Sequence, residues 1–175
     1  MKKINVSDLD ILAPNLVSGE KLLLSGVIIT ARDSAHKRFV ELISISDTTY
    51  PSTFKTINSK LIYYCGPTPA RPGLPIGSCG PTTSGRMDKY APILIEKGFR
   101  YMMGKGQRSM EVLESIKKHK GLYLIAIGGA GALYGRCVLN AKCIAYPDLG
   151  TEAVYELTIV DFPCYVAIDT NGVKI

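Results

Sequence analysis

The chain has 175 residues, 46% of them hydrophobic, and 21 basic against 15 acidic residues give a formal charge of +6. That length and apolar share are enough to bury one core, so a single domain over residues 1–175 is expected. No apolar run reaches the roughly 18 residues of a membrane span, and the basic start lacks the apolar core of a signal peptide. A cytoplasmic protein is therefore expected. Five cysteines (Cys65, Cys79, Cys137, Cys143, Cys164) form no Cys-x-x-Cys pair, and His36 and His119 have no cysteine at ligand spacing. Free thiols, and no metal held by this chain alone, are the expectation. The positive charge does not read as a nucleic-acid surface, because aromatic and basic residues do not interleave. The densest basic run, Lys117-Lys118-His119-Lys120, falls where a helix should end and complements its dipole.

Along the chain, residues 6–20 lack sustained periodicity and read as an entry segment with a turn at Ser18-Gly19. Residues 21–30 are rich in Leu, Val and Ile and predict a strand, with Gly26 as a bulge. A helical pattern follows, with Ala35, Phe39, Val40 and Ile43 on one face and Asp33 as N-cap, which leaves Arg32 just outside the helix. His36 lies in a charged His-Lys-Arg run and is placed on the solvated face. Residues 45–58 read as a polar loop and 61–65 as a short strand. Gly66-Pro67-Thr68-Pro69-Ala70-Arg71-Pro72-Gly73 cannot be regular structure, because its prolines fix φ and remove donors.

Gly80-Pro81-Thr82-Thr83-Ser84-Gly85-Arg86-Met87-Asp88 precedes a helical pattern over 87–97. Arg86 should then sit in a first helical turn, where the macrodipole disfavours a cation and favours an anionic ligand. Pro92 is tolerated if that helix starts near Tyr90, and Gly98 suits its C-terminal end. A strand is predicted over 99–103, then Gly104-Lys105-Gly106-Gln107-Arg108-Ser109, with Ser109 capping a helix that Gly121 closes. Residues 122–127 read as a buried strand, and 133–138 as a short helix behind Gly128-Gly129-Ala130-Gly131. That glycine run lacks the G-x-G-x-x-G spacing of a dinucleotide site, so close packing of the helix on a sheet is the better reading. Strands are expected over 141–146, 155–162 and 165–168, with a turn at Asp169-Thr170-Asn171-Gly172. The alternation gives a mixed α/β domain.

Three strand-to-helix junctions deliver a cation beside small residues: Arg32, Arg86 and Lys105. In open α/β sheets, ligands gather outside the carboxyl ends of strands. If the three junctions share one edge, they form a pocket of three cations, helix N-terminal amides and hydroxyls that suits a small di-acid. No G-x-S-x-G accompanies the histidines, so a serine hydrolase is not expected.

These stretches carry a resemblance over nearly the whole chain. Thr30-Ala31-Arg32-Asp33 with His36-Lys37-Arg38, the Gly66–Gly73 loop, Gly80-Pro81-Thr82-Thr83-Ser84-Gly85-Arg86-Met87-Asp88 and Gly104-Lys105-Gly106 resemble the β subunit of class I fumarate hydratase. In single-chain members of that family the same region is the C-terminal domain. The related tartrate dehydratase β subunit shares the Gly-Pro-Thr-Thr-Ser core, and the Pro-Ala-Arg-Pro-Gly segment and Gly85 are closer to the fumarase branch.

The resemblance implies a swivelling β/β/α domain, with a mixed sheet and flanking helices, that closes on an α subunit carrying a [4Fe–4S] cluster. The cluster's ligands would belong to that partner, so Cys79 is not expected to be one. It implies reversible hydration of fumarate to L-malate, with an open iron as Lewis acid. It gives Thr82 the role of base, and Arg32, Arg86 and Lys105 the carboxylates and the charge that develops on them. The chain alone would be inactive, in a hetero-oligomer with its partner, and a homodimer is open for the chain in isolation. An L(+)-tartrate dehydratase β subunit and a non-catalytic dicarboxylate-binding module are the alternatives.

Overall fold

Alternating apolar residues build a sheet that closes on itself in a computed structural model, which describes residues 1–45 and 59–175. The polar loop expected over 45–58 lies, past Ile45, outside the described residues. The strands are β1 (Lys2–Asn5), β2 (Lys21–Thr30), β3 (Leu61–Tyr63), β4 (Tyr101–Gly104), β5 (Leu122–Ile125), β6 (Val138–Ala145) and β7 (Val154–Ile168). The helices are α1 (Leu9–Leu12), α2 (Asp33–Ile45), α3 (Ala91–Glu96), α4 (Met110–His119) and α5 (Gly131–Arg136). The expected mixed α/β class, with a mixed sheet and flanking helices, is what the chain adopts.

The strands run in the order β1-β2-β3-β4-β5-β7-β6, and a further β2–β7 pairing closes the ring β2-β3-β4-β5-β7. Strands β1 to β5 are mutually parallel, whereas β7 runs antiparallel to β2, β5 and β6. The carboxyl ends of β2, β3, β4 and β5 therefore share one edge. Gly26 breaks the β2–β7 register as expected, with φ of 119°, and an added Cβ would lie 2.7 Å from Asn5 Oδ1. Strand β7 unites the two strands expected over 155–162 and 165–168; its irregularity lies instead at Asp161, at φ 45°, opposite the β2 bulge.

Alternate side chains from every strand of the ring form one core, among them Leu24, Ile28, Tyr63, Met103, Leu124, Phe162 and Val166, and Leu9 and Tyr134 join it. The other face forms a second core, in which Ile29, Ile62, Met102 and Tyr123 meet Phe39 of α2, Leu94 of α3 and Ile116 of α4. Fully burying one such Leu or Ile contributes about 2 kcal/mol, so each helix is held chiefly by its apolar stripe. Ser109 caps α4 by accepting the Val112 N–H. Its far end is closed by Lys120 in the left-handed region rather than by Gly121, which is needed because a Cβ there would lie 2.4 Å from the Arg100 carbonyl. The entry segment expected over 6–20 carries α1 between two 3-10 turns, and β1 precedes it.

Candidate active site

Each strand of the shared edge hands a different residue to the loops above it. Strand β2 runs into Ala31-Arg32-Asp33 at the start of α2, β3 into Tyr64-Cys65-Gly66, and β4 into Lys105-Gly106. The segment Pro81–Ser84 lies between the last two like a short extra strand. Thr82 donates its N–H to the Tyr64 carbonyl at 2.6 Å and accepts the Lys105 N–H at 3.2 Å. Ser84 N–H in turn donates to the Lys105 carbonyl at 2.8 Å, and Thr83 bridges Lys105 in parallel register. Thr82 and Lys105 are thus backbone neighbours. Gly104 permits this, because a Cβ there would lie 2.2 Å from Ser84 Oγ and 3.2 Å from the Thr82 carbonyl.

Arg32 and Arg86 meet at one carboxylate. Arg86 Nε donates to Asp33 Oδ1 at 3.0 Å, and Arg32 Nε lies 3.9 Å from Asp33 Oδ2. Glu152 holds the other side of Arg32, with Oε1 3.4 Å from Nη2. Gly66 leaves room for that guanidinium, since a Cβ would lie 2.8 Å from Nη1 and 3.0 Å from the Thr151 carbonyl. Arg32 Nε and Asp33 Oδ2 are both buried without a hydrogen-bond partner among the described residues. The Thr82 hydroxyl makes no hydrogen bond among the described residues, and Lys105 makes no ion pair. The edge therefore carries all four expected residues, Arg32, Thr82, Arg86 and Lys105, with a hydroxyl and an ammonium that have no side-chain partner among the described residues.

Three expectations are corrected. Arg86 is not in the first turn of a helix: residues 84–87 tighten into a separate 3-10 turn, and α3 starts at Ala91 with Pro92 in its tolerated first turn. Its dipole is thus not what draws an anion; its pairing with Asp33 is the relevant geometry. Nor are all of the helix N-terminal amides open to a ligand. Glu152 Oε2 accepts the Ser34 N–H at 2.9 Å in α2, and Asp88 Oδ2 accepts the Ser109 N–H at 2.6 Å at α4. The chain's own carboxylates fill the positions that helix dipoles favour for anions. His36, expected on a solvated face, is fully buried against Tyr64, Phe39 and Tyr90. Its Nδ1–H donates to the Arg32 carbonyl at 2.8 Å, and burial pushes its pKa down to about 4, so it is neutral near pH 7.

The close packing expected behind the glycine run is present on two sides of α5. Tyr134 stacks on Phe162 of β7 with ring centroids 4.5 Å apart, and Gly131 and Gly135, both within the helix, bring it against the loop leading to Thr82. A Cβ at Gly131 would lie 2.3 Å from Ser78 Oγ, and one at Gly135 2.4 Å from the Gly77 carbonyl. Cys79 N–H donates to the Gly131 carbonyl at 2.9 Å.

The reading of residues one stretch at a time missed a polar group under the same edge. Arg108, its side chain fully buried, donates Nε–H to Asp88 Oδ1 at 2.7 Å and stacks between the rings of Tyr64 and Tyr123. Glu152 was missed as well, and its partner Ser34 is 118 residues away. For a cluster or single metal the described residues do not fit. Among the described residues no three His, Cys, Asp or Glu side chains converge on a metal position. Cys65 and Cys79 touch at 3.4 Å, and that contact and burial push the Cys65 thiol up, away from the thiolate a metal requires.

Residues 2–175 match the family described as Fumarase C-terminus. The chain is 41% identical over 154 residues to the class I anaerobic fumarate hydratase of Escherichia coli strain K12, covering 87% of this chain and 27% of that protein. It is 38% identical over 156 residues to fumarate hydratase 2 of Leishmania major, covering 88% of this chain and 27% of that protein. Against a putative L(+)-tartrate dehydratase subunit beta of Methanocaldococcus jannaschii it is 34% identical over 160 residues, covering 88% of this chain and 80% of that protein. The chain thus spans about a quarter of the length of the fumarate hydratases it matches and most of the length of the tartrate dehydratase subunit.

Proposed function

The chain belongs to the Fumarase C-terminus family, and on that premise we propose that it is the β portion of a hydro-lyase that reversibly hydrates fumarate to L-malate. The observation that carries this reading is the laying of Pro81–Ser84 between the ends of β3 and β4. It sets Thr82 beside Lys105, on the edge where Arg32 and Arg86 share Asp33. In the dehydration direction, Arg32, Arg86 and Lys105 hold the two carboxylates of malate. Thr82, as its alkoxide, takes the proton from the carbon beside one carboxylate. The electron pair left behind spreads onto that carboxylate, beside fixed cations that need no reorganisation. Hydroxide leaves the neighbouring carbon as the double bond forms, and the return path adds water. The same cations favour the Thr82 alkoxide, which a free threonine would not form near pH 7.

The rest of the catalytic site is assigned to a partner α subunit. The described residues of this chain do not fit a cluster, so we assign the [4Fe–4S] group to that subunit, where it would supply a Lewis acid to the leaving hydroxyl. A second reading, the β subunit of an L(+)-tartrate dehydratase, draws on the similarity that spans 80% of such a subunit. Anaerobic co-expression with the cluster-bearing chain, assaying fumarate hydration and tartrate dehydration side by side, separates the two. Fumarate turnover that requires both chains is expected. Tartrate turnover alone would move the protein to the second reading. Turnover of neither by an intact, cluster-loaded complex would leave a dicarboxylate-binding module.

Thr82→Ala supplies the sharper test. With the base removed, kcat should fall about 10²- to 10⁴-fold while KM and thermal stability stay near wild type. An unchanged kcat would remove Thr82 from the chemistry.

A further inference from the structure

Burying a guanidinium costs several kcal/mol, and an apolar side chain of similar volume often serves stability equally well. Arg108 nevertheless has a fully buried side chain, directly beneath the loops that carry Thr82 and Lys105. Its contacts tie those loops together. Nε donates to Asp88 Oδ1 at 2.7 Å, which fixes the residue that follows the Ser84–Met87 turn. Asp88 Oδ2 accepts the Ser109 N–H at 2.6 Å, which anchors the far end of the Lys105 loop. Nη2 reaches Tyr64 Oη at 3.4 Å, and the Tyr64 carbonyl accepts the Thr82 N–H.

The second ring on the guanidinium extends the link. Tyr123, whose centroid is 5.0 Å from the Arg108 guanidinium carbon, donates its hydroxyl to the Gly106 carbonyl at 2.8 Å. With its one proton committed there, Tyr123 Oη accepts from Ser84 Oγ–H at 2.9 Å. One end of this bridge lies two residues after Thr82 and the other one residue after Lys105. Burial pushes the Tyr123 hydroxyl up to about 12, so it remains a donor.

We propose that Arg108, braced by Asp88 and acting through Tyr123 and Tyr64, is a positioning residue that holds the Thr82 segment in register with Lys105. The planar fork matters as much as the charge. It meets a carboxylate, a tyrosine hydroxyl and two ring faces at once, a set that the single ammonium of lysine does not match. The proposed base and one proposed carboxylate-binding cation are thereby set against each other by a support that touches neither. The consequence for turnover rests on the hydro-lyase reading above; the register itself does not.

The test uses Tyr123→Phe, which removes one oxygen and keeps the ring under Arg108, with Arg108→Lys as the second variant. Hydrogen exchange on the full-length chain should show the Thr82, Ser84 and Lys105 amides exchanging at least tenfold faster in Tyr123→Phe, while amides of β2 and β7 stay within about twofold. In the complex with the cluster-bearing subunit, kcat for fumarate should fall about tenfold with KM kept within twofold. Uniform acceleration of all amides, or a kcat equal to wild type, would reduce Arg108 to a general structural residue and overturn the proposal. A wild-type complex that turns over neither di-acid defeats the hydro-lyase reading, and the amide pattern then decides the register alone. If Arg108→Lys does not fold, Tyr123→Phe still gives the answer.

Discussion

Two arginine–aspartate pairs lie at the same edge of the sheet with nearly the same geometry: Arg86 Nε donates to Asp33 Oδ1 at 3.0 Å, and Arg108 Nε to Asp88 Oδ1 at 2.7 Å. What separates them is water. The Arg86 side chain is 51% exposed and that of Arg108 is 0% exposed. An exposed pair is worth about 1 kcal/mol at most, so a ligand carboxylate can compete for Arg86 at little cost to the fold. Arg108 is enclosed by Asp88, Tyr64, Tyr123 and Met102, and has no solvated alternative. Identical chemistry therefore leaves an arginine open to solvent on one side of the loop and fixes the loop on the other.

The largest effect on stability should come from breaking the buried pair. Arg108→Met leaves the Asp88 carboxylate without its cation and should cost about 3–5 kcal/mol, read as a lowered urea midpoint. Adding Asp88→Asn removes the stranded charge and keeps an oxygen for the Ser109 N–H, so most of the loss should return. A double variant as unstable as the single one would mean that packing, not charge, holds this side. Arg86→Met should move the midpoint by less than about 1 kcal/mol.

His36 joins the two sides, with its ring against Tyr64 and its Nδ1–H on the Arg32 carbonyl. Burial is the main cause of its depression to about 4 from an ordinary value of 6.5; nearby Arg108 also lowers it, while the Arg32 carbonyl and Asp33 oppose the shift. Above pH 6.5 the ring is neutral in folded and unfolded chains, and its full contribution is present. Between pH 6.5 and 4 the unfolded chain takes up a proton that the folded one refuses, so stability falls as pH falls. The total is on the order of 3 kcal/mol. His36→Leu should flatten this part of the pH profile relative to wild type. Equal slopes in the two proteins would show that His36 is solvated when folded.

Much of this edge was legible because its signals are local. The span of β2, the bulge at Gly26, the Ser109 cap and the shared edge of Arg32, Arg86 and Lys105 follow from periodicity and from cations placed after strands, whereas Thr82 was singled out by the family resemblance. His36 was misplaced because Lys37 and Arg38 follow it, although its spacing to Phe39 and Ile43 is helical and pointed inward. Glu152 and the Arg108–Asp88 pair were not legible, because their partners are distant in sequence. An ion pair between residues 20 apart leaves no periodic trace. The filling of helix N-termini by Glu152 and Asp88 was hidden for the same reason, and it is what turns expected anion sites into internal struts.

The smallest stability effect should belong to Asp33→Asn, which also separates the two pairs most cleanly. Asn keeps an acceptor for Arg86 Nε but removes a carboxylate from the first turn of α2, so the loss is about 1 kcal/mol or less. At this chain length that corresponds to about 2–4 °C in Tm. Functionally the sign should reverse. Arg32 and Arg86 would share one fewer internal negative charge, and KM for the di-acid in the complex should fall severalfold. Asp88→Asn, by contrast, should lower Tm by more and leave KM near wild type, because Arg108 is not offered to the ligand. A tenfold rise in KM from Asp33→Asn would show that Asp33 aims Arg86 as firmly as Asp88 holds Arg108. The two pairs would then differ in exposure without differing in role.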